Sequence, residues 1–306
     1  MGKINRREFL AGTVKIAAAG MCAGISRNAF TEELPETTIA VASGKGASAV
    51  RAAVEALGGM KKFVSPGAFV VLKPNIAFPN PPKWGTTTSP EVVRTVAELC
   101  LEAGAKRVFI VDNPLGGAPM KNVERSGIGE AVADLKEVKI AMMTERQKYS
   151  VTENSEMGEL KTVETMRILA KADVLINIPT AKAHNQTGVS LGLKNLMGLI
   201  WDRKVFHQEM NINRAIGELA VYIRPKLTIM DASRALLNNG PTGPGTVQPL
   251  DKVIVGTDPV AVDTYTLTLA EFNFRRMTAE QVPHLKHAEI LGVGTTDLGR
   301  VKALEV

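Results

Sequence analysis

The sequence predicts an α/β fold: a mostly parallel, doubly wound sheet with helices on both faces. Three observations predict it. Six short segments rich in β-branched residues recur along the chain, separated mostly by helical patterns. Several of them are apolar throughout rather than alternating, as parallel strands covered on both faces should be. Polar residues close five of the strands, and a proline stands near four of those ends.

Near the start of the sequence stand Arg6-Arg7-Glu8-Phe9-Leu10, followed by a mild apolar run to Ile25. Residues 1–30 read as a twin-arginine signal peptide or N-terminal anchor. Asn5 stands where Ser or Thr is common, and the Ala- and Gly-rich run carries Lys15, too weakly apolar for a stable membrane span. This leader predicts a periplasmic or otherwise extracytoplasmic protein, with the twin-arginine translocase as its export partner. Cys22 is a poor lipidation site, because Met21 precedes it where a small residue is wanted.

From residue 38 to 306 the pattern is that of one α/β domain. Strands are expected at Thr38–Ser43, Phe69–Asn75, Arg107–Asp112, Asp173–Asn177, Lys226–Asp231 and Lys252–Gly256. Helices are expected near Ala47–Leu57, Pro90–Ala103, Val163–Ala172, Asn211–Ile223 and Pro259–Phe272. Pro90 and Pro259 sit where a first helical turn tolerates proline, and Gly104 closes the second helix. The polar stretch Met142–Leu160 is either an excursion between two joined halves or a strand pair at the sheet edge. Residues 74–90 and 238–249, rich in Pro and Gly, read as long loops, which in compact domains are usually functional or mobile.

Composition narrows the function classes. The net charge is +6, but Lys3, Arg6, Arg7, Lys15 and Arg27 against Glu8 place +4 of it in the leader, leaving +2. So nearly neutral a body, sparse in aromatics, gives no footprint for nucleic acid. Of two cysteines, Cys22 lies in the leader and Cys100 in an amphipathic helical pattern, where it reads as a buried apolar residue. One thiol cannot hold an iron–sulfur cluster, which needs about four ligands.

The strand ends are where chemistry is expected. Ligands of open parallel sheets bind beyond the carboxyl ends of the strands. Here that edge would gather Lys73, Asn75, Asp112, Asn177, Asp231 and Asp258. Such Asp and Asn residues also cap turns and helices, so the argument rests on the set rather than on any one of them. A second constellation is the polar loop Pro179-Thr180-Ala181-Lys182-Ala183-His184-Asn185, leading into Leu193-Lys194-Asn195-Leu196-Met197-Gly198. Lysines and backbone amides at a helix start favour a carboxylate or phosphate. His184 is a candidate general base or metal ligand. His207 follows a mixed loop that can approach the same edge, and His284 and His287 have the i, i+3 spacing that can share a metal. Neither GxxxxGK[ST] nor GxGxxG is present. The cofactor is not specified by any motif; a divalent cation held by carboxylates such as Asp231 and Asp263 would be magnesium, calcium or manganese rather than zinc.

In this order the residues resemble the domain of unknown function 362 family. The matching pieces are Val70-Val71-Leu72-Lys73-Pro74-Asn75, Thr88-Ser89-Pro90-Glu91-Val92-Val93 and Gly104-Ala105-Lys106-Arg107-Val108, then Ala172–Pro179, Lys182-Ala183-His184 and Leu193–Gly198. Asn239-Gly240-Pro241, Asp258-Pro259-Val260-Ala261-Val262-Asp263 and Gly292-Val293-Gly294 complete them. The resemblance covers roughly residues 38 to 306. Some relatives carry ferredoxin-like cysteine motifs, which this chain lacks, and relatives commonly have histidine where Ser89 stands and lysine where Thr180 stands. The resemblance gives priority to Lys73, Asn75, Lys182, His184, Lys194, Asn195, Asp258 and Asp263 as the positions to test together.

The resulting expectation is an exported α/β protein, enzyme or enzyme-like, binding a small anionic ligand at the carboxyl edge of the sheet. Lys182, Lys194 and His184 are the candidate catalytic residues, with Lys73, Asn75, Asn195, Asp112 and Asp258 binding the ligand. The alternative is a non-catalytic binding or accessory protein of an exported redox system.

Overall fold

The computed structural model describes residues 37–115, 118–154 and 156–306; the leader and Cys22 lie outside them. The main sheet has the strand order β12-β1-β11-β10-β7-β2-β3-β4. These strands are β1 (Thr37–Ser43), β2 (Phe69–Pro74), β3 (Arg107–Asp112), β4 (Val138–Met142), β7 (Val174–Ile178), β10 (Leu227–Leu236), β11 (Val247–Gly256) and β12 (Val301–Glu305). All of this order is parallel except β11, which runs antiparallel to both β1 and β10. The expected mostly parallel sheet is present.

Both faces of the sheet are buried, and alternation along each strand divides the apolar side chains between two cores. Ala40, Val70, Leu72, Ile110, Ile176 and Val255 face the layer made by α1 (Gly46–Ala56) and α2 (Pro90–Glu102). Ile39, Val41, Val71, Val111, Met230 and Ile254 face the layer made by α7 (Ile212–Tyr222), α8 (Pro259–Leu267) and α9 (Pro283–Ile290). Single polar breaks are therefore conspicuous. Lys73 continues the face of Val71 with about 1 % of its surface exposed.

The direction of β11 corrects one expectation. Residues 237–246 join β10 to β11 without a helix, and parallel neighbours need a crossover of about a dozen residues or more. The chain turns back, so Asp258 leaves the sheet at the edge opposite the carboxyl ends of β2, β3 and β7.

Other elements differ from the sequence reading. The helix expected at Val163–Ala172 is β6 (Thr162–Met166) followed by a 3₁₀ turn at Leu169–Lys171. It pairs antiparallel with β5 (Tyr149–Glu153) in a separate two-stranded sheet. The β-branched Thr162, Val163 and Thr165 favour that outcome, and only one side is covered: Val163 and Met166 are buried while Glu164 reaches Arg146 at 3.0 Å. The polar loop after Pro179 is also a strand, β8 (Thr180–His184), hairpinned to β9 (Gly188–Ser190). It continues β7 after one proline and pairs in parallel with β10.

Candidate functional site

Strand geometry gathers the site. On β8, Ala181 and Ala183 enter the apolar core, so Lys182 and His184 project from the other face. They meet Lys73 from β2, Asp112 from β3 and Lys194 from the short helix α5 (Gly192–Asn195) around a cavity of about 400 Å³. Arg203 and His207 complete the wall, with His207 on α6 (Lys204–Gln208). Pro241 and Thr242 cover it from the β10–β11 connection.

Two glycines make that closeness possible. A Cβ on Gly198 would overlap the side chains of Asp112 and Lys73. A Cβ on Gly240 would overlap the carbonyl of Ala183, so the covering loop could not lie on β8.

Asparagines fix the lysines. Asn195 Nδ2 donates to Lys73 O at 3.0 Å and to Asn177 Oδ1 at 2.8 Å. Its Oδ1 accepts from Asn75 Nδ2 at 3.0 Å and Lys73 Nζ at 3.3 Å. Asn75 Oδ1 in turn accepts from Lys182 Nζ at 3.2 Å, and Thr86 O accepts from the same ammonium at 2.7 Å. Asn195 thus has its amide group fully engaged inside the protein, which makes it a clip between β2, β7 and α5. Helix α5 is itself fixed by Asp263, whose carboxylate accepts from Gly192 N at 2.7 Å and Leu193 N at 2.9 Å.

The charges of the cavity do not balance. Lys73, Lys182, Lys194, Lys204 and Arg203 line it, and Asp112 is the carboxylate among the lining residues. Lys73 takes that carboxylate at 3.1 Å, with both groups buried. Asp112 also accepts from Ile76 N and Asn113 N. Lys182 forms no ion pair among the described residues, and Lys194 Nζ donates to Met197 Sδ at 3.1 Å. Burial lowers the Lys182 amine to about 7, with Asp112 opposing the shift and Lys194 and Lys73 adding to it. Burial and then Arg203 lower Lys194 to about 7 as well.

His184 is held in one tautomer. Its Nδ1 accepts from Gln186 N at 3.1 Å and Thr187 N at 3.3 Å, so the neutral ring carries its proton on Nε2. Burial, followed by the Lys194 and His207 charges, lowers its pKa to about 3. Such a ring donates a hydrogen bond; it has no free lone pair with which to act as a general base. His207 stacks on it, with ring centroids 6.2 Å apart.

The structure therefore brings Lys73, Asn75, Asp112, Lys182, His184, Lys194 and Asn195 together, and sets three expected residues apart. Asp231 lies inside β10, where it accepts from Ser89 N at 2.7 Å and Ser233 N at 3.1 Å. Asp258 caps α8 by accepting from Val260 N and Ala261 N, and it also accepts from Thr295 N. Asp263 is engaged by α5. Among the described residues no three His, Cys, Asp or Glu side chains stand close enough to hold a metal ion; the carboxylates of Asp231 and Asp263 each accept from two backbone amides. His284 Nδ1 faces Asn213 Oδ1 at 3.2 Å, whereas His287 Nε2 lies 3.5 Å from Glu218, so the pair shares no site. Arg203 was missed by sequence reasoning. Its one signal is its place four residues before His207, in the mixed loop that follows the lysine-bearing helix.

The chain is similar to known proteins in sequence and in structure. The chain is 30% identical over 257 residues to a thylakoid-associated protein of Synechocystis sp., covering 81% of this chain and 76% of that one. Two solved structures are similar: the lactate racemase apoprotein of Thermoanaerobacterium thermosaccharolyticum (12% identity, TM-score 0.49) and a protein of Thermotoga maritima (14% identity, TM-score 0.43). The matches cover 74% and 81% of this chain but only 56% and 58% of those chains. A family model described as a domain of unknown function, DUF362, matches residues 70–268. With that match and the Synechocystis relative, the chain belongs to the DUF362 family.

Proposed function

We propose that this protein binds a small anion, a carboxylate or phosphate, in the cavity at the carboxyl edge of its sheet. One observation carries the proposal: five cationic side chains face a single carboxylate there, and that carboxylate is already paired with Lys73. Uncompensated buried ammonium groups are costly, and an anion that accepts from them removes the cost. Lys182, Lys194 and Arg203 would hold the charge, while His184 Nε2–H donates to a ligand oxygen. His184 would polarise that oxygen rather than abstract a proton, so proton transfer falls to the lysines, whose pKa values near 7 suit either direction.

The engaged Nδ1 of His184 also favours the second reading, a non-catalytic binding or accessory protein of an exported redox system, since capture needs no base. The twin-arginine motif at Arg6-Arg7 supports export to the periplasm through the twin-arginine translocase.

The test is thermal unfolding of the protein with oxalate, phosphate and the uncharged control oxamide. Oxalate or phosphate should raise the midpoint and oxamide should not, and Lys182→Met should abolish the rise. Equal responses to charged and neutral compounds would refute the proposal.

A further inference from the structure

The three lysines that reach the cavity differ in the acceptors around each amine. Lys73 Nζ has the Asp112 carboxylate at 3.1 Å and the oxygens of Pro74 and Asn195 besides. Lys182 Nζ has two oxygen acceptors, Thr86 O and Asn75 Oδ1, and lies 5.3 Å from the centre of the Phe78 ring. All of these favour an ammonium. Lys194 Nζ has a thioether, Met197 Sδ, at 3.1 Å. A thioether is a weak acceptor and does little to keep a proton on the amine. Lys194 is 8 % exposed, and its wall of the cavity is shared with Arg203.

We propose, as a deepening of the anion-binding reading above and resting on it, that Lys194 forms an imine with a small carbonyl compound bearing a carboxylate, of the 2-oxo acid class. The lowered pKa of Lys194 agrees, since about half of its amine is free near pH 7. Arg203 pairs with the ligand carboxylate, leaving the carbonyl carbon to the amine. The Nζ lone pair attacks that carbon and the C=O π electrons move to oxygen, which takes up a proton. Nitrogen loses a proton, the carbinolamine hydroxyl is protonated and leaves as water, and the lone pair closes the C=N bond. The iminium so formed releases one proton, so the sum is amine plus carbonyl giving imine plus water, with no oxidant or reductant. The Lys182 ammonium is placed to supply the proton to the departing oxygen, and His184 Nε2–H to hydrogen-bond it. Lys182 cannot exchange roles with Lys194 without leaving Thr86 O and Asn75 Oδ1.

The experiment uses the unaltered full chain with glyoxylate, reduced with borohydride, then intact mass and peptide mapping. One carboxymethyl addition per chain is expected, on Lys194, with trapping rising through pH 7 as the amine deprotonates. An addition on Lys182, or spread over surface lysines, overturns the inference. So does the lack of any addition in protein that binds oxalate by calorimetry, an outcome that leaves the anion site standing. If glyoxylate adds nowhere and oxalate does not bind, the inference and the anion site fail together. The map is read on the native sequence, so no outcome depends on a variant that folds.

Discussion

Lys73 and Asp112 form an ion pair of 3.1 Å from adjacent parallel strands, with side-chain exposures of 1% and 2%. Together they set the register between the end of the sheet and the Leu196–Leu199 turn, since Gly198 packs directly on both. Removing one partner leaves the other charged and buried. Asp112→Asn should therefore cost about 3–5 kcal/mol in urea unfolding, and Lys73→Met with Asp112→Asn should recover most of it. A single variant as stable as the parent would show that the pair does not hold the edge together.

Gly198→Ala tests the same contact from the other side. The added methyl meets Lys73 and Asp112 rather than open space. Overpacking of this kind costs about 1–3 kcal/mol, read as a lower midpoint in thermal or urea unfolding. Gly67→Ala is not a neutral control even though space is open there, because its φ of +81° strains any side chain. Ala170→Ser, exposed within the 3₁₀ turn Leu169–Lys171, is the better comparison and should change stability little.

Asp263 acts on the site through α5. It accepts from the buried amides of Gly192 and Leu193 on the helix that carries Lys194 and Asn195. Asp263→Ala should cost about 1–3 kcal/mol for the amides left without acceptors. It should also weaken oxalate binding without removing any cavity residue. Asp263→Asn, which keeps one acceptor oxygen, should fall between the two.

Stability should rise with pH across an alkaline window set by the two buried lysines. Lys182 and Lys194 titrate near 7 in the folded protein against 10.5 ordinarily. Between those values the unfolded chain binds more protons than the folded one, so the free energy of unfolding rises with pH across that window. Below about 7 both states are protonated and this contribution is flat. Urea midpoints of the ligand-free protein between pH 7 and 10 check the sign, and Lys182→Met with Lys194→Met should flatten the slope.

Much of this organisation is legible in the sequence. Lys73, Asn75 and Asp112 interrupt or end runs of buried β-branched residues, and chain order alone places them at one edge. Strand β8 is harder: Thr180, Lys182 and His184 alternate with Ala181 and Ala183, a period of two, yet the polar members are buried against distant segments, Lys182 on Asn75, Thr86 and Phe78 and His184 on His207. The connection from β10 to β11 decides Asp258. Strand direction is not a property of residues 252–256 but of how short the link before them is. Val163–Ala172 was misread for another reason. Its single apolar face fits helix and strand alike, and the partner that settles it, β5, is too polar to be read as a strand alone. The tautomer of His184 is not legible in the sequence, because the two amides that fix it belong to a turn after the strand.

A small anion bound in the cavity should restore protons to its lysines. Calorimetric titration of oxalate at pH 8, in two buffers of different ionisation enthalpy, tests it most directly. One oxalate should bind per chain, saturably, with a net uptake of about one to two protons, and Lys182→Met with Lys194→Met should abolish it. Binding without proton uptake, or binding that survives the loss of both lysines, would contradict it.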